Sequence, residues 1–265
     1  MQNTSFDFSG SVVVVTGGAN GIGRAICQGF ARAGANVLCI DVNSDAGNAL
    51  AAEDNSPGSV VFFQGDVGKG ADCRAAIEDA VARWGGLDVI CNNAGIQPKS
   101  SYLPVHELSE EMWDRILDVN LKSTYFMAHY GIPHLKARGG GSIINTASVQ
   151  GMASANLVSA YAASKGGLIS LTRQLALDYG ADNIRVLGVA PGTIDTGMPH
   201  AYEPIPEEEH NRMRVEWGAR HPLNRIGQPE EIARVVMFLA SDYASFMTGE
   251  TVCVDGGLMA KGAWA

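Results

Sequence analysis

Four consecutive valines, Val12 to Val15, run into Thr16-Gly17-Gly18-Ala19-Asn20-Gly21-Ile22-Gly23, and an apolar helical pattern follows to about Gly34. A strand of unbroken β-branched residues has no polar face to offer water, so it belongs inside a parallel sheet with both faces covered. The glycines constrain what comes next. Gly17, Gly21 and Gly23 let the backbone turn tightly at the strand's carboxyl end and open a helix N-terminus, where unpaired amides and the helix dipole favour an anion. The spacing is G-x-x-x-G-x-G rather than the commoner G-x-G-x-x-G. Its place between strand and helix predicts a pyrophosphate site formed by Gly17, Asn20, Gly21, Ile22 and Gly23.

Apolar strands and helical patterns continue to alternate along the chain. Asn36-Val37-Leu38-Cys39-Ile40 predicts a second buried strand ending in Asp41, eighteen residues after Gly23. A carboxylate there can accept a bond from a ribose 2′-hydroxyl, or can cap the polar helix that runs to about Asn55. Val60 to Phe63 predicts a third strand closed by Asp66 and Val67, with Asp66 open to an adenine amino group or to capping the helix through Trp84. Leu87 to Cys91 predicts a fourth, ending in Asn92-Asn93-Ala94-Gly95, where small and amide side chains let backbone lie close to a flat ligand. One helical pattern spans Ser109 to about Arg138 and contains Asn120, an amide of poor helix propensity that is either functional or simply packed. After Gly139 to Gly141, a fifth strand places Ser148 at its carboxyl end. Ile184 to Ala190 is a sixth, followed by Pro191-Gly192-Thr193-Ile194-Asp195-Thr196, and Thr251 to Asp255 is a last strand behind a helix from Glu230 to Ala240. The stretch at about 193–228 is too long for a plain connection and is expected to form a substrate lid on a single domain spanning residues 1–265.

Chemistry enters at Tyr161-Ala162-Ala163-Ser164-Lys165, where phenol and ammonium share one helix face. Tyrosine ionises near pH 10, so a phenol acting as a base near neutrality needs a shift of about 2 to 3 units, or about 3 to 4 kcal/mol. A lysine in a dry site is expected to supply much of it. Ser148, thirteen residues upstream, lies on the edge where open α/β sheets bind ligands.

Composition removes several classes of function. With 46% apolar residues among 265, the chain can bury a large core. A net charge of −9 works against nucleic acid or an anionic membrane as partner, so any phosphate must be held by local amides. No apolar stretch approaches the roughly 18 to 20 residues of a membrane span, and Met1 to Gly10 lack both a base and an apolar run, so a cytoplasmic protein is expected. Cys27, Cys39, Cys73, Cys91 and Cys253 are scattered, mostly in apolar runs, which predicts buried thiols rather than disulfides, and no Cys or His spacing suggests a metal.

Taken in order, TGxxxGIG at Thr16 to Gly23, NNAG at Asn92 to Gly95, Asn120, Ser148, Tyr161-x-x-x-Lys165 and Pro191-Gly192 resemble the short-chain dehydrogenase/reductase superfamily, from about Gly10 to Leu258. The resemblance implies an α/β, single-domain Rossmann fold whose seven-stranded parallel sheet has helices on both faces. It implies hydride transfer with a nicotinamide cofactor, interconverting a secondary alcohol and a ketone, or a lactol and a lactone. In that chemistry Tyr161 transfers the proton, Lys165 lowers its pKa and binds the nicotinamide ribose, Ser148 orients the substrate oxygen, and Asn120 holds a proton-relay water. Asn93, Ala94 and Gly95 would lie along the middle of the cofactor, Asp66 and Val67 near its adenine, and Pro191, Gly192, Thr193, Ile194 and Thr196 at its carboxamide end. NAD rather than NADP is expected from Asp41, whose charge would oppose a 2′-phosphate, with no base at Asn20 or Val42 to offset it. The positions facing the substrate would be Ser148, Tyr161, Gln97, Gln150, Asn156 and His200, a polar set that suggests a sugar, sugar acid or polyol. The long helices around Asn120 and Tyr161 carry more apolar and small residues than one sheet face needs, and the family commonly pairs such helices, so a homotetramer is expected. Two rival functions are a 3-oxoacyl-thioester reductase, which usually takes NADPH, and a non-catalytic cofactor-binding regulator, which typically loses the tyrosine or lysine.

Overall fold

The computed structural model describes residues 5–53, 56–196 and 206–261. Strands β1 (Val12–Thr16), β2 (Asn36–Asp41), β3 (Ser59–Gln64), β4 (Val89–Asn92), β5 (Gly141–Thr146), β6 (Ile184–Pro191) and β7 (Thr251–Val254) form one sheet in the order β3-β2-β1-β4-β5-β6-β7. Every pairing is parallel, with Val13 of β1 aligned between Val37 of β2 and Val89 of β4. The helices are α1 (Gly21–Arg32), α2 (Ser44–Ala52), α3 (Gly70–Trp84), α4 (Glu110–Leu117), α5 (Ser123–Arg138), α6 (Ser159–Tyr179), α7 (Glu207–Gly218) and α8 (Pro229–Ala240).

Side chains alternate across a strand, and the valine run shows why both faces must be apolar. Val13 and Val15 pack with Ile26 and Phe30 of α1 and with Ile232 and Val236 of α8. Val12 and Val14 face the opposite way, into Ile77 of α3 and Met127, Ile132 and Leu135 of α5. A polar residue at any of the four would meet one of these layers.

Strand order reverses between β1 and β4, which parts the loops at their carboxyl ends and leaves a crevice there. The two loops are stitched at its floor. The Thr16 hydroxyl accepts the amides of Asn93 at 3.0 Å and Ala94 at 3.1 Å, while Asn93 Nδ2 donates to the carbonyls of Thr16 at 3.2 Å and Gly17 at 3.1 Å. This approach requires glycine: Gly17 sits at φ +62°, and a Cβ there would lie 2.8 Å from the Ala94 Cα. A Cβ on Gly23 would overlap the Gly17 carbonyl oxygen.

Two boundaries differ from expectation. The helical pattern from Ser109 to Arg138 is not one helix, because a π turn at Asp118–Lys122 joins α4 to α5. The helix expected to reach about Asn55 ends at Ala52. Cys27, Cys39, Cys73 and Cys91 are buried free thiols, but Cys253, on the edge strand β7, is exposed.

Candidate active site

Ser148, Tyr161, Lys165 and Asn120 meet at the carboxyl edge of β4 and β5. Lys165, on the second turn of α6, is 3% exposed and donates Nζ to the Thr146 carbonyl at 2.7 Å, where β5 ends. Its Nζ stands 5.7 Å from the centre of the Tyr161 ring. The Ser148 hydroxyl accepts the Gln150 amide at 3.1 Å and favours the ionised form of the Tyr161 phenol. The β4–α4 loop crosses directly above: a Cβ on Gly95 would sit 3.3 Å from Lys165 Nζ and 3.6 Å from Asn120 Oδ1.

Asn120 lies within the π turn and is 1% exposed. Its Oδ1 accepts the Ile96 amide at 2.7 Å, and its Nδ2 donates to the Ile96 carbonyl at 2.9 Å and to the Ser164 hydroxyl at 3.2 Å. Ser164 in turn donates to the Tyr161 carbonyl at 2.7 Å. The amide therefore ties the break between α4 and α5 to the loop after β4 and to the helix carrying tyrosine and lysine. π turns often mark functional sites, and here the irregular backbone faces the reacting side chains.

Along the crevice, α1 begins with no side-chain cap and no acid in its first turn, so its leading amides are open to an anion. Asp41 Oδ2 accepts the Ala19 amide of the glycine turn at 3.1 Å, and its Oδ1 accepts the Asn43 amide at 3.0 Å. The residue that caps α2 is Asn43, whose side chain accepts the Ala46 amide at 3.0 Å, so the capping alternative for Asp41 falls away. Bare amides beside a carboxylate fit the pyrophosphate and ribose of a dinucleotide.

A family model described as enoyl-(acyl carrier protein) reductase matches residues 17–259. Cyclohexanol dehydrogenase of an Acinetobacter species is 37% identical over 255 residues, covering 96% of this chain and 97% of that one. The 3-oxoacyl-[acyl-carrier-protein] reductase of Thermotoga maritima is 37% identical over 251 residues, covering 94% and 98%. The ligand-free structure of Thermoplasma acidophilum aldohexose dehydrogenase superposes with a TM-score of 0.86 at 35% identity, over 97% of this chain and 96% of that one. The chain belongs to the short-chain dehydrogenase/reductase superfamily.

In this short-chain dehydrogenase/reductase the segment Thr193 to Thr196, expected at the cofactor's carboxamide end, is clamped in place. Gly227 donates its amide to the Thr193 carbonyl at 2.9 Å and its carbonyl accepts the Asp195 amide at 2.9 Å. A Cβ on Gly21 would lie 3.0 Å from the Thr196 Cβ, so this segment also packs on the start of α1. Pro191 ends β6, and the Gly192 amide continues its pairing to Val254 at 3.2 Å. Of the two settings expected for Asp66, the helix cap falls away. Asp66 does not cap α3, whose N-cap is Lys69. Its carboxylate accepts the Gly68 amide at 3.0 Å and takes Arg115 at 3.1 and 3.2 Å. Burial pushes its acidity towards the neutral form, but the Gly68 amide and the Arg115 guanidinium outweigh it and hold the carboxyl below its usual range. Val67 points into the core under α3.

On the substrate side Gln97 Nε2 and Gln150 Oε1 are buried atoms without a protein partner. Asn156 lines a cavity of about 280 Å³ together with Leu103, Pro104, Val105, Leu157 and Ala162. Its wall mixes these apolar side chains with Ser154 and Ser159. Sequence reasoning missed that wall and Tyr102, whose phenol acts electrostatically on Tyr161. The available signal was the run Tyr102-Leu103-Pro104-Val105 just beyond Asn92 to Gly95. His200 lies outside the described residues. Among the described residues, no group of His, Cys, Asp or Glu is placed to hold a metal, and no helix is long and apolar enough to cross a membrane.

The acid–base balance corrects one expectation. Burial pushes the Tyr161 phenol up to about 12, and only the Ser148 hydroxyl pulls it down, with Tyr102 adding to the rise. Burial brings Lys165 down to about 8, and its ammonium is directed at Thr146 rather than at the phenolic oxygen. In the protein alone, burial is therefore the larger influence on the phenol. A phenol protonated at neutrality gains base form as pH rises, so alcohol oxidation should accelerate from pH 7 towards 10. Tyr161→Phe should cut kcat by roughly 10²- to 10⁴-fold and abolish that slope. An unchanged slope in the variant, read from kcat against pH, would reject Tyr161 as the base.

Lys165 also makes a stability prediction. Its pKa is about 8 in the fold and about 10.4 in an unfolded chain, so between these values the unfolded chain keeps a proton that the fold has released, and stability shifts towards the fold as pH rises. Lys165→Met should lack this contribution. Denaturant midpoints of the two proteins should move in favour of wild type from pH 8 to 10, and a constant difference would contradict the burial cost assigned to the ammonium.

Proposed function

We propose that the protein is an NAD-dependent dehydrogenase interconverting a secondary alcohol and its ketone, or a lactol and its lactone, with the alcohol carried on a six-membered ring such as a sugar, sugar acid or cyclic polyol. The observation that carries the chemistry is the buried Lys165 ammonium, held by the Thr146 carbonyl and 5.7 Å from the centre of the Tyr161 ring. Bound NAD would supply the hydride acceptor. Ser148 and Tyr161 bracket the alcohol oxygen, and Tyr161 takes its proton as the hydride leaves carbon. Lys165, Tyr161, Asn93, Ala94 and Gly95 would hold the middle and nicotinamide ribose of the cofactor, and Thr193, Ile194 and Thr196 its carboxamide end. Asn120 spends its side chain on Ile96 and Ser164, so a relay water would rest on a main-chain oxygen of the π turn. The amides of Gln97 and Gln150 suit ring hydroxyls, and the wall of Leu103, Pro104, Val105 and Leu157 suits the ring's apolar edge. Two of the related proteins, named for cyclohexanol and for aldohexose, both handle ring alcohols.

Asp41 supports the choice of NAD. Against NADP it would face a 2′-phosphate of nearly two negative charges, which costs a few kcal/mol at an effective dielectric of about 20. Arg24, the basic residue beside this site in sequence, is engaged by Glu53 and by the Ala19 carbonyl. The thioester reductase reading has the Thermotoga relative in its favour, but it needs a base that Asn20 and Val42 do not provide. A non-catalytic regulator is opposed by the intact tyrosine and lysine. Free thiols at Cys27, Cys39, Cys73 and Cys91 support a reducing compartment such as the cytoplasm.

The kcat/KM for NAD⁺ and NADP⁺ against ring alcohols, sugars, sugar acids, polyols and 3-hydroxyacyl thioesters tests this reading. NAD⁺ should be favoured at least about a hundredfold, and Asp41→Ala should narrow the ratio from both sides. Equal use of both cofactors by wild type would remove the role of Asp41, and a thioester outrunning every ring alcohol would replace the substrate class.

The assembly we infer is a homotetramer, with the domain's lid spanning about 193–228. Exposed apolar side chains support it: Tyr125 on α5, Leu177 on α6, Phe238 on α8, and Tyr243 and Phe246 just beyond. Sedimentation at micromolar concentration should show four chains together, and a species of one chain's mass would reject the tetramer.

A further inference from the structure

We propose that His221 is a positioning residue that fixes the carboxamide end of the cofactor site to the end of α7, working as the neutral imidazole with its proton on Nδ1; this rests on the assignment of Thr193 to Thr196 to the cofactor. His221 is 3% exposed and follows α7 by three residues. Its Nδ1 lies 2.9 Å from the Trp217 carbonyl oxygen in the last turn of that helix, and its Nε2 lies 3.2 Å from the Thr193 amide nitrogen. A carbonyl oxygen only accepts and an amide N–H only donates, so both bonds coexist in one form of the ring, with Nδ1 protonated and Nε2 bare. The other tautomer would present a lone pair to the carbonyl, and an imidazolium would press a second N–H against the Thr193 amide.

The surroundings are built to admit the ring. A Cβ on Gly192 would sit 3.0 Å from Nε2, and one on Gly256 would sit 3.4 Å from the His221 Cβ. The nearby charges are already committed. Asp255, in the turn after β7, accepts the amides of Gly257 at 3.0 Å and Met259 at 2.7 Å. On the histidine's own segment, Arg220 is paired with Glu216 and Arg225 with Glu231. Asp195 is paired with Arg214 of α7 at 2.7 Å and faces His210 at 3.4 Å. Thr193 thus has its amide held by His221 and its carbonyl held by Gly227. The end of α7 is consequently two hydrogen bonds from the segment assigned to the nicotinamide.

Two variants separate the bonds. In His221→Gln the side chain can present an oxygen where Nε2 was, while His221→Asn can keep the donor to Trp217 but ends too short to reach Thr193. NADH titration by fluorescence should show affinity about tenfold weaker in His221→Asn and close to wild type in His221→Gln. Equal weakening in both, or none in either, would overturn the role. In wild type labelled with ¹⁵N-histidine, His221 should give a protonated Nδ1 and an unprotonated Nε2 at neutral pH, and the opposite pattern or an imidazolium would overturn it even if both variants failed to fold. A wild type that binds no dinucleotide would remove the cofactor assignment and this role together, whereas NADH binding indifferent to both variants removes the role alone.

Discussion

A lysine ammonium almost wholly removed from water must be held by something, and Lys165 is held by the Thr146 carbonyl at the end of β5. Taking an ion out of water costs several kcal/mol even after the protein relaxes around it. The fold carries that cost at the one edge of the sheet where strand order reverses. Much of the local structure serves to keep the ammonium there: the small residues of the β4 loop, with Gly95 close above the Nζ, and the close packing of Gly151 on the Lys165 backbone below. The tyrosine, the serine and the π turn are arranged around a charge that the core alone would reject.

The sheet and its glycine turn were legible because their causes are local. Two-sided burial of β1 is written in four valines, and the need for Gly17 and Gly23 follows from how closely the next loop must approach. The Tyr161–Lys165 spacing likewise required only a helix. What stayed hidden depends on partners distant in sequence. The π turn exists where Asn120 reaches Ile96 and Ser164, and the helical period of residues 109–138 carries no trace of those bonds. Asp66 meets Arg115, 49 residues away, instead of the helix it precedes. The direction of the Tyr161 shift could not be read from the pairing with lysine, since burial is set by the whole tertiary environment and here outweighs the pull of the Ser148 hydroxyl.

Asp41 shows how one side chain can combine structure and recognition. Its two oxygens brace the glycine turn through Ala19 and the next loop through Asn43, so the carboxylate is oriented before any ligand arrives. Preorganisation of this kind means that little side-chain freedom is lost on binding. It also bears on the proposed choice of NAD, since a carboxylate fixed from two sides would have little room to retreat from a phosphate.

The cavity beside Ala162 is walled by two loops, residues 103–105 and 154–159, and by no residue of the central sheet. Loops tolerate replacement better than strands do. On the proposed reading, the shape of molecule admitted could drift by change in those two segments while the residues proposed for proton transfer, at the end of β5 and on α6, stay intact. For directed evolution that reading makes the chain a modular starting point: libraries confined to the two loops would sample new substrates without spending variation on the residues proposed to do the chemistry.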